Sequence, residues 1–532
     1  MSSSEGTLIL TLVTLALFGA SSWFSKFRKK GVESEPNVIS KLLWGVVTLA
    51  GVASWWGLPP DTSKLHTWDL YHYYIGTKYF EELRYTGIYN CSLKAEGELL
   101  AASGSVNSTT TSVRDLASNT FISGAEALER STQCFERFTP ERWRDFVADI
   151  SWFSARMGER WKTVFHDHGY NPSPFWVWIA KRALPVGAVN DEALLWIARL
   201  DIVLIACMWA VLLATFDTKV VAVAAVLWGT SPLANGSWTA GGYLRHDWLL
   251  ATVLAVVLLW RYFRDRVAPL RSSERYVAVC AGALLGYAIS VRIFPFVVLL
   301  AVLCCRTRNR PGRPLWGVFP PSVALVTLGA LISVVSCVTV SSVTFGSTVW
   351  GEFRDNTRKH VDSRSGNLVG VSHVVDHYVQ CQIVESGNGE GGNSKVCDPP
   401  ERLSQSRLGW VGRYVGLLCA ALLFGWLYLV SPSLLIGEGA MIASFALPLI
   451  TSPSSYYLEI LVLAGLLSAT VPSVGGVLLV LSTLVQLVAV AVTPPNKIYL
   501  VASVLLVQAI VISLVLVHRA RVAKKSDSEE VR

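Results

Sequence analysis

The sequence predicts an all-α polytopic membrane protein of about 11–13 transmembrane helices with two large external loops. Three observations predict it. Of 532 residues, 52% are hydrophobic and 16% are charged, too little charge for a soluble chain of this length. The apolar residues fall in blocks of roughly 17–25, enough to cross a hydrocarbon core about 30 Å thick, and helices satisfy their own backbone polar groups there. The net charge of +8 is concentrated between blocks: Lys26, Arg28, Lys29 and Lys30; Arg261, Arg264, Arg266, Arg271 and Arg275; Arg306, Arg308, Arg310 and Arg313; and Arg519, Arg521, Lys524 and Lys525. Short basic segments between spans mark cytoplasmic loops. They make membrane lipids the partner and argue against nucleic acid.

The elements follow in order. Residues 1–58 hold two spans, Leu8–Phe24 and Leu42–Leu58. The first has its basic cluster after it, which places the N-terminus outside and argues against a cleaved signal peptide. Residues 59–192 form a first external loop with amphipathic helices. Residues 193–345 form a central bundle with spans at Leu194–Phe216, Val220–Ala234 and Trp248–Tyr262. It continues as a broken hairpin near 276–305, whose pieces Tyr276–Ser290 and Pro295–Cys305 are short and separated by Val-Arg-Ile-Phe, with Pro295 at the break. Val318–Phe345 leads out to a second external loop, 346–410. Residues 411–518 supply five further spans, the third and fourth of them Tyr457–Val471 and Val474–Val492. Residues 519–532 are a basic cytoplasmic tail. Cys91 and Cys134 fall in the first loop, and Cys381 and Cys397 in the second. An external compartment permits one disulfide in each.

The chemistry-bearing residues gather at the external mouths. His66-Thr-Trp-Asp-Leu-Tyr-His-Tyr-Tyr-Ile-Gly-Thr-Lys follows the second span. On a helix, Asp69, His72 and Tyr73 share one face at spacings of three and four, with Gly76 allowing close approach and Lys78 further on. An acid and an imidazole at the membrane surface suit general-base work or a metal; an interfacial helix with headgroup-level aromatics explains them equally well. Asp167 and His168 stand in His-Asp-His-Gly-Tyr-Asn-Pro, where a turn before the next helix is an equal reading. Arg245, His246 and Asp247 precede a span, and arginine is the natural partner of a phosphate or carboxylate. Arg292 lies between two half-helices within the membrane, where a charge is costly and functional by default; pairing with Asp201 or Glu459, or snorkelling, is its structural alternative. Asn356 and His360 share a helical face at the start of the second loop, near Asn367-Leu-Val-Gly, and Tyr456 and Tyr457 follow Pro453 at another mouth.

With these residues in view, the chain resembles the GT-C superfamily of membrane glycosyltransferases. The resemblance rests on the multi-span body, the large first loop, and Asp69 in Trp-Asp-Leu-Tyr-His-Tyr-Tyr soon after a span. It rests also on Leu285-Gly-Tyr-Ala-Ile-Ser-Val-Arg-Ile-Phe-Pro, similar to the superfamily's Gly-rich helix ending in a basic residue and proline. Asp-His-Gly-Tyr-Asn-Pro and Asn-Thr-Arg-Lys-His look like bacterial GT-C-like proteins, which implies a bacterial inner membrane and a site facing the periplasm. The resemblance implies a polyprenyl-phosphate-linked sugar donor, a glycan, lipid or protein acceptor, Asp69 as general base, and Arg245 and Arg292 on the lipid phosphate, with His72, His360 and Asp167 lining the site. The sequence departs from the superfamily in its extra N-terminal span and in having a single acid where a pair is usual; a divalent metal stays open as a cofactor. A transporter or lipid flippase, or a non-catalytic scaffold, is the alternative function.

Overall fold

The computed structural model describes residues 3–27, 38–55, 65–104, 112–185, 187–231, 244–263, 270–305, 320–362, 367–377, 411–450, 453–491 and 495–530. Among the described residues, seven helices are long and apolar enough to cross a membrane: Glu5–Trp23, Asp191–Thr215, Ser272–Val291, Pro321–Phe345, Val411–Ser433, Pro472–Ala491 and Lys497–Ala523. Shorter apolar helices at Val38–Ser54, Thr218–Gly229, Ile436–Ile450 and Ser455–Ala469 pack among them. Large apolar side chains such as Leu42, Leu331, Leu422 and Val511 face outward, an arrangement that suits hydrocarbon and not water. The chain is a helical multi-pass membrane protein.

The central helices differ from expectation at one point. The first piece of the broken hairpin is not short: it is a 20-residue helix, Ser272–Val291, followed by the eight-residue helix Phe296–Leu303. An apolar-only count cut away its polar first turn, which begins where the Arg271 backbone N–H donates to Glu274 at 2.8 Å. This helix lies directly against Pro321–Phe345. A Cβ added to Gly282 would stand 2.0 Å from the Val326 carbonyl oxygen, and one on Gly286 2.4 Å from that of Ala330. Small residues four apart let two membrane helices touch backbone to backbone. The contact fixes the C-terminal end of Ser272–Val291, where Arg292 is the cap residue.

Near the C-terminus, the apolar helix Ile436–Ile450 is interrupted by a 3-10 turn at Ala443–Phe445. Its neighbour opens with another, Ser455–Leu461. Leu368 forms an antiparallel bridge with Ser454. The Val369 N–H donates to Pro453 at 3.0 Å, and the Ser455 N–H donates to Asn367 at 2.9 Å. The Asn367-Leu-Val-Gly stretch therefore braces the residues that carry Tyr456 and Tyr457.

The first large loop folds as a helical unit with one small hairpin, Ser112–Asp115 paired with Thr120–Ser123. Its helices start where polar caps place them. Thr139 accepts from the Arg142 N–H ahead of Pro140–Met157, and Ser173 from the Trp176 N–H ahead of Pro174–Ala183. Tyr71, Tyr79, Phe80, Phe146, Phe153 and Phe165 fill its interior. Cys91 and Cys134 form a disulfide, with Cα atoms 5.4 Å apart, joining helix Ile88–Ala102 to the turn Ser131–Arg137. Cys381 and Cys397 lie outside the described residues. The unit is tied to the bundle: Ser173 donates to the Ser290 carbonyl at 2.6 Å, and Arg84 donates to that of Phe345 at 2.8 Å.

Candidate functional site

Where the first loop meets the bundle, Arg245, His246, Trp248, Arg292, Tyr456, Tyr457 and Glu459 line a cleft with about 310 Å³ of empty space. Each comes from a segment just described. Arg245 and His246 precede helix Asp247–Tyr262 and are held by Asp201 of helix Asp191–Thr215. Its Oδ1 accepts the Arg245 N–H at 2.8 Å and the His246 N–H at 3.0 Å. Leu244 enters this turn at φ 52°, a left-handed conformation unusual for leucine. The Trp176 indole N–H donates to its carbonyl at 2.9 Å.

The helix carrying Asp69 begins at Thr67, passes through a π turn at Tyr71–Ile75 and ends at Gly76–Lys78. The extra residue in that turn breaks the shared face expected for Asp69, His72 and Tyr73. Asp69 touches the cleft through Arg245: its Oδ2 stands 3.5 Å from Arg245 Nη1 and 3.1 Å from His66 Nδ1. Tyr73 does too, accepting from Arg292 Nη2 at 3.2 Å, with the Arg245 guanidinium 4.9 Å from its ring centre. His72 turns the other way and does not line the cleft. Its Nδ1 donates to the Trp68 carbonyl at 2.9 Å and its Nε2 meets the Tyr89 hydroxyl at 2.8 Å. Gly76 meets a ring and no ligand, since a Cβ there would lie 2.2 Å from Tyr170 Cδ2.

Tyr456 and Tyr457 form the opposite wall, their rings 4.4 Å apart, with Arg245 5.5 Å from the Tyr456 ring centre. Guanidinium groups over tyrosine faces keep their charge while losing water. Arg292 is in none of the described ion pairs, so the expected structural pairing with Asp201 or Glu459 is not its arrangement. Those carboxylates flank His246 instead, Nδ1 at 3.0 Å from Asp201 Oδ1 and Nε2 at 3.3 Å from Glu459 Oε2.

Other expected site residues stand apart from the cleft. Lys78 is 2.6 Å from buried Asp149 and donates to the Gly187 carbonyl at 2.8 Å. Asp167 accepts from the Trp68 indole at 2.5 Å and the His168 N–H at 2.6 Å. Burial pushes its carboxyl up, but the His72 charge, the indole and His168 outweigh this and hold it below the usual carboxylate range. His168 faces Asn119 at 3.3 Å. Asp247 accepts from the Tyr287 hydroxyl at 2.8 Å, behind the cleft. Asn356 donates to the Tyr170 carbonyl at 3.1 Å. The His360 side chain lies outside the described residues. Sequence reasoning missed the site roles of Asp201 and Glu459, although carboxylates inside apolar blocks were the signal for both.

Glu459 also borders a second, apolar pocket, partly open to its surroundings and lined by Leu227, Trp228, Leu458, Leu478 and Leu506 among others. The two cavities meet at this residue, one charged and one greasy. Among the described residues, no group of three His, Cys, Asp or Glu is placed to hold a divalent ion, and the Arg245 guanidinium stands beside Asp69. In comparisons with family models, curated proteins and solved structures, nothing matches this chain.

Proposed function

We propose that the protein is an integral membrane glycosyltransferase that moves a sugar from a polyprenyl-phosphate carrier to an acceptor hydroxyl of a glycan, lipid or protein. The reaction takes place on the non-cytoplasmic side of what the motifs suggest is a bacterial inner membrane. The observation that carries this reading is one juxtaposition. A carboxylate, Asp69, meets Arg245 at 3.5 Å, and Arg245 shares a cleft with Arg292 beside an apolar cavity. An amphiphile with an anionic head and an apolar tail fits that pair of environments. In the transfer step Asp69 takes the acceptor's proton as its oxygen attacks the anomeric carbon. The two guanidiniums oppose the charge that develops on the departing phosphate. Tyr73 holds Arg292 in place, which fixes the distance between the base and the phosphate.

The test is transfer from a polyprenyl phosphosugar in proteoliposomes. Asp69→Asn lowers transfer by about 10²–10⁴-fold, the usual worth of a general base, with thermal unfolding unchanged. Full activity in that variant sinks the assignment. Flux of the lipid across the bilayer with no glycosylated product favours a transporter instead.

A further inference from the structure

Asp201, His246 and Glu459 form a second constellation on the wall of the cleft. They come from three separate segments, and all three are buried, Asp201 completely. An ionised carboxylate oxygen only accepts hydrogen bonds. Asp201 Oδ1 takes two backbone N–H groups and faces His246 Nδ1 at 3.0 Å, so that nitrogen carries a proton. His246 Nε2 then faces Glu459 Oε2 across 3.3 Å, with one proton to share between them. Glu459 is the odd member of a cleft that otherwise suits an anion. Ionised, it repels a phosphate held by Arg245 and Arg292; protonated, it donates to that phosphate.

We propose that Glu459 is the acid of the transfer reaction, giving its proton to the departing lipid phosphate, with His246 as the resting place of that proton and Asp201 as the residue that orients His246. The proposal rests on the glycosyl-transfer reading. In the step, the acceptor oxygen bonds to the anomeric carbon and loses its proton to Asp69. The bond from that carbon to the phosphate oxygen breaks, and its electron pair stays on the phosphate. The proton of Glu459 passes to a phosphate oxygen. A phosphodiester monoanion thereby leaves as a phosphomonoester monoanion, and Glu459 is left as a carboxylate beside neutral His246. That carboxylate repels the product, and a proton from water resets the pair. The groups surrounding the pair are Asp201, Asp247, Arg245, Arg292, Tyr456 and Tyr457.

Binding of polyprenyl methyl phosphate to the full chain in nanodiscs, followed by calorimetry between pH 6 and 11, tests this. The single charge of that diester does not titrate in the range. Wild-type affinity falls about tenfold per pH unit once the pair has lost its proton. Glu459→Gln keeps a hydrogen-bond donor and cannot ionise, so its affinity stays flat and exceeds the wild type's at the alkaline end. Titrations at high pH in two buffers of different ionisation heat read one proton taken up by the wild type and none by E459Q. If E459Q fails to fold, the wild-type buffer comparison carries the test alone. Asp201→Asn removes a negative charge beside His246 and moves the wild-type midpoint to lower pH; an unmoved midpoint removes Asp201 from the proposal. A flat wild-type profile without proton uptake overturns the role of Glu459. So does an equal slope in E459Q, which assigns the titration to His246, Tyr456 or Tyr457. Absence of binding at every pH overturns the lipid-phosphate reading itself, and the role of Glu459 with it.

Discussion

The first loop and the cleft beneath it use charge in opposite ways. In the loop, Lys78, Arg142 and Arg130 each sit on an opposite charge. Lys78 sits on Asp149, which also accepts from the Tyr79 hydroxyl at 2.8 Å and the Val189 N–H at 2.8 Å. Arg142 sits on Glu82, and Arg130 on Asp115. In the cleft, Arg245 meets Asp69 but also leans on two tyrosine rings, Arg292 has a tyrosine hydroxyl, and a histidine is stretched between two carboxylates. A buried pair that satisfies itself holds a fold together. Buried cations arranged around a space hold it ready for something else, at a cost in stability.

Four experiments sharpen or break this contrast, from the largest expected effect to the smallest. Asp149→Ala strands the Lys78 ammonium and two further donors, the Tyr79 hydroxyl and the Val189 N–H, in the loop interior. Loss of one partner of a buried pair costs about 3–5 kcal/mol, read as a lower midpoint in tryptophan-monitored unfolding. A midpoint within a degree of the wild type's would mean that the pair does not hold the loop. Replacing Cys91 and Cys134 together by serine frees a loop with a sequence separation of 43 residues. Chain entropy assigns that about 3–4 kcal/mol, and dithiothreitol should reproduce the effect in the wild type alone. Arg292→Ala is expected to lower transfer about 100-fold, the scale of one lost transition-state donor, while unfolding is unchanged or shifted upward. A large fall in stability would place Arg292 with the loop's structural pairs. The smallest effect concerns pH. The Asp167 carboxyl is held below the usual carboxylate range, so its stabilisation is full above the unfolded value near 4 and is lost as pH falls through the lower folded value. Unfolding midpoints between pH 2 and 7 should drop in acid for the wild type and less steeply for Asp167→Asn.

Much of the frame could be read from the sequence, because hydrocarbon demands long apolar blocks and leaves basic residues between them. The Cys91–Cys134 bridge was legible on the same logic, and so was the gathering of Asp69, Arg245, Arg292, Tyr456 and Tyr457 in one region. Pairings across the fold were not legible. Nothing in the spacing of His246, Asp201 and Glu459 says that the histidine stands between the other two. Ser272–Val291 was cut short because its first turn is polar while its backbone is still helical. His72 was assigned to the wrong side because the spacing rule assumes an α-helix, and the segment that contains it, Tyr71–Ile75, is a wider π turn.

That wide turn at Tyr71–Ile75 works as a phase shifter. A regular helix would send the side chains after Asp69 around in fixed steps. One surplus residue advances the later ones by roughly a hundred degrees, so a single short stretch addresses two compartments at once, tyrosine toward the cations and imidazole toward the loop interior. Function along this stretch is therefore encoded in length as well as in identity. Deleting Tyr74 would leave Asp69, His72 and Tyr73 all present and still turn the residues after it, taking Gly76 off Tyr170 and Lys78 off Asp149, a kind of damage that substitution scanning never samples.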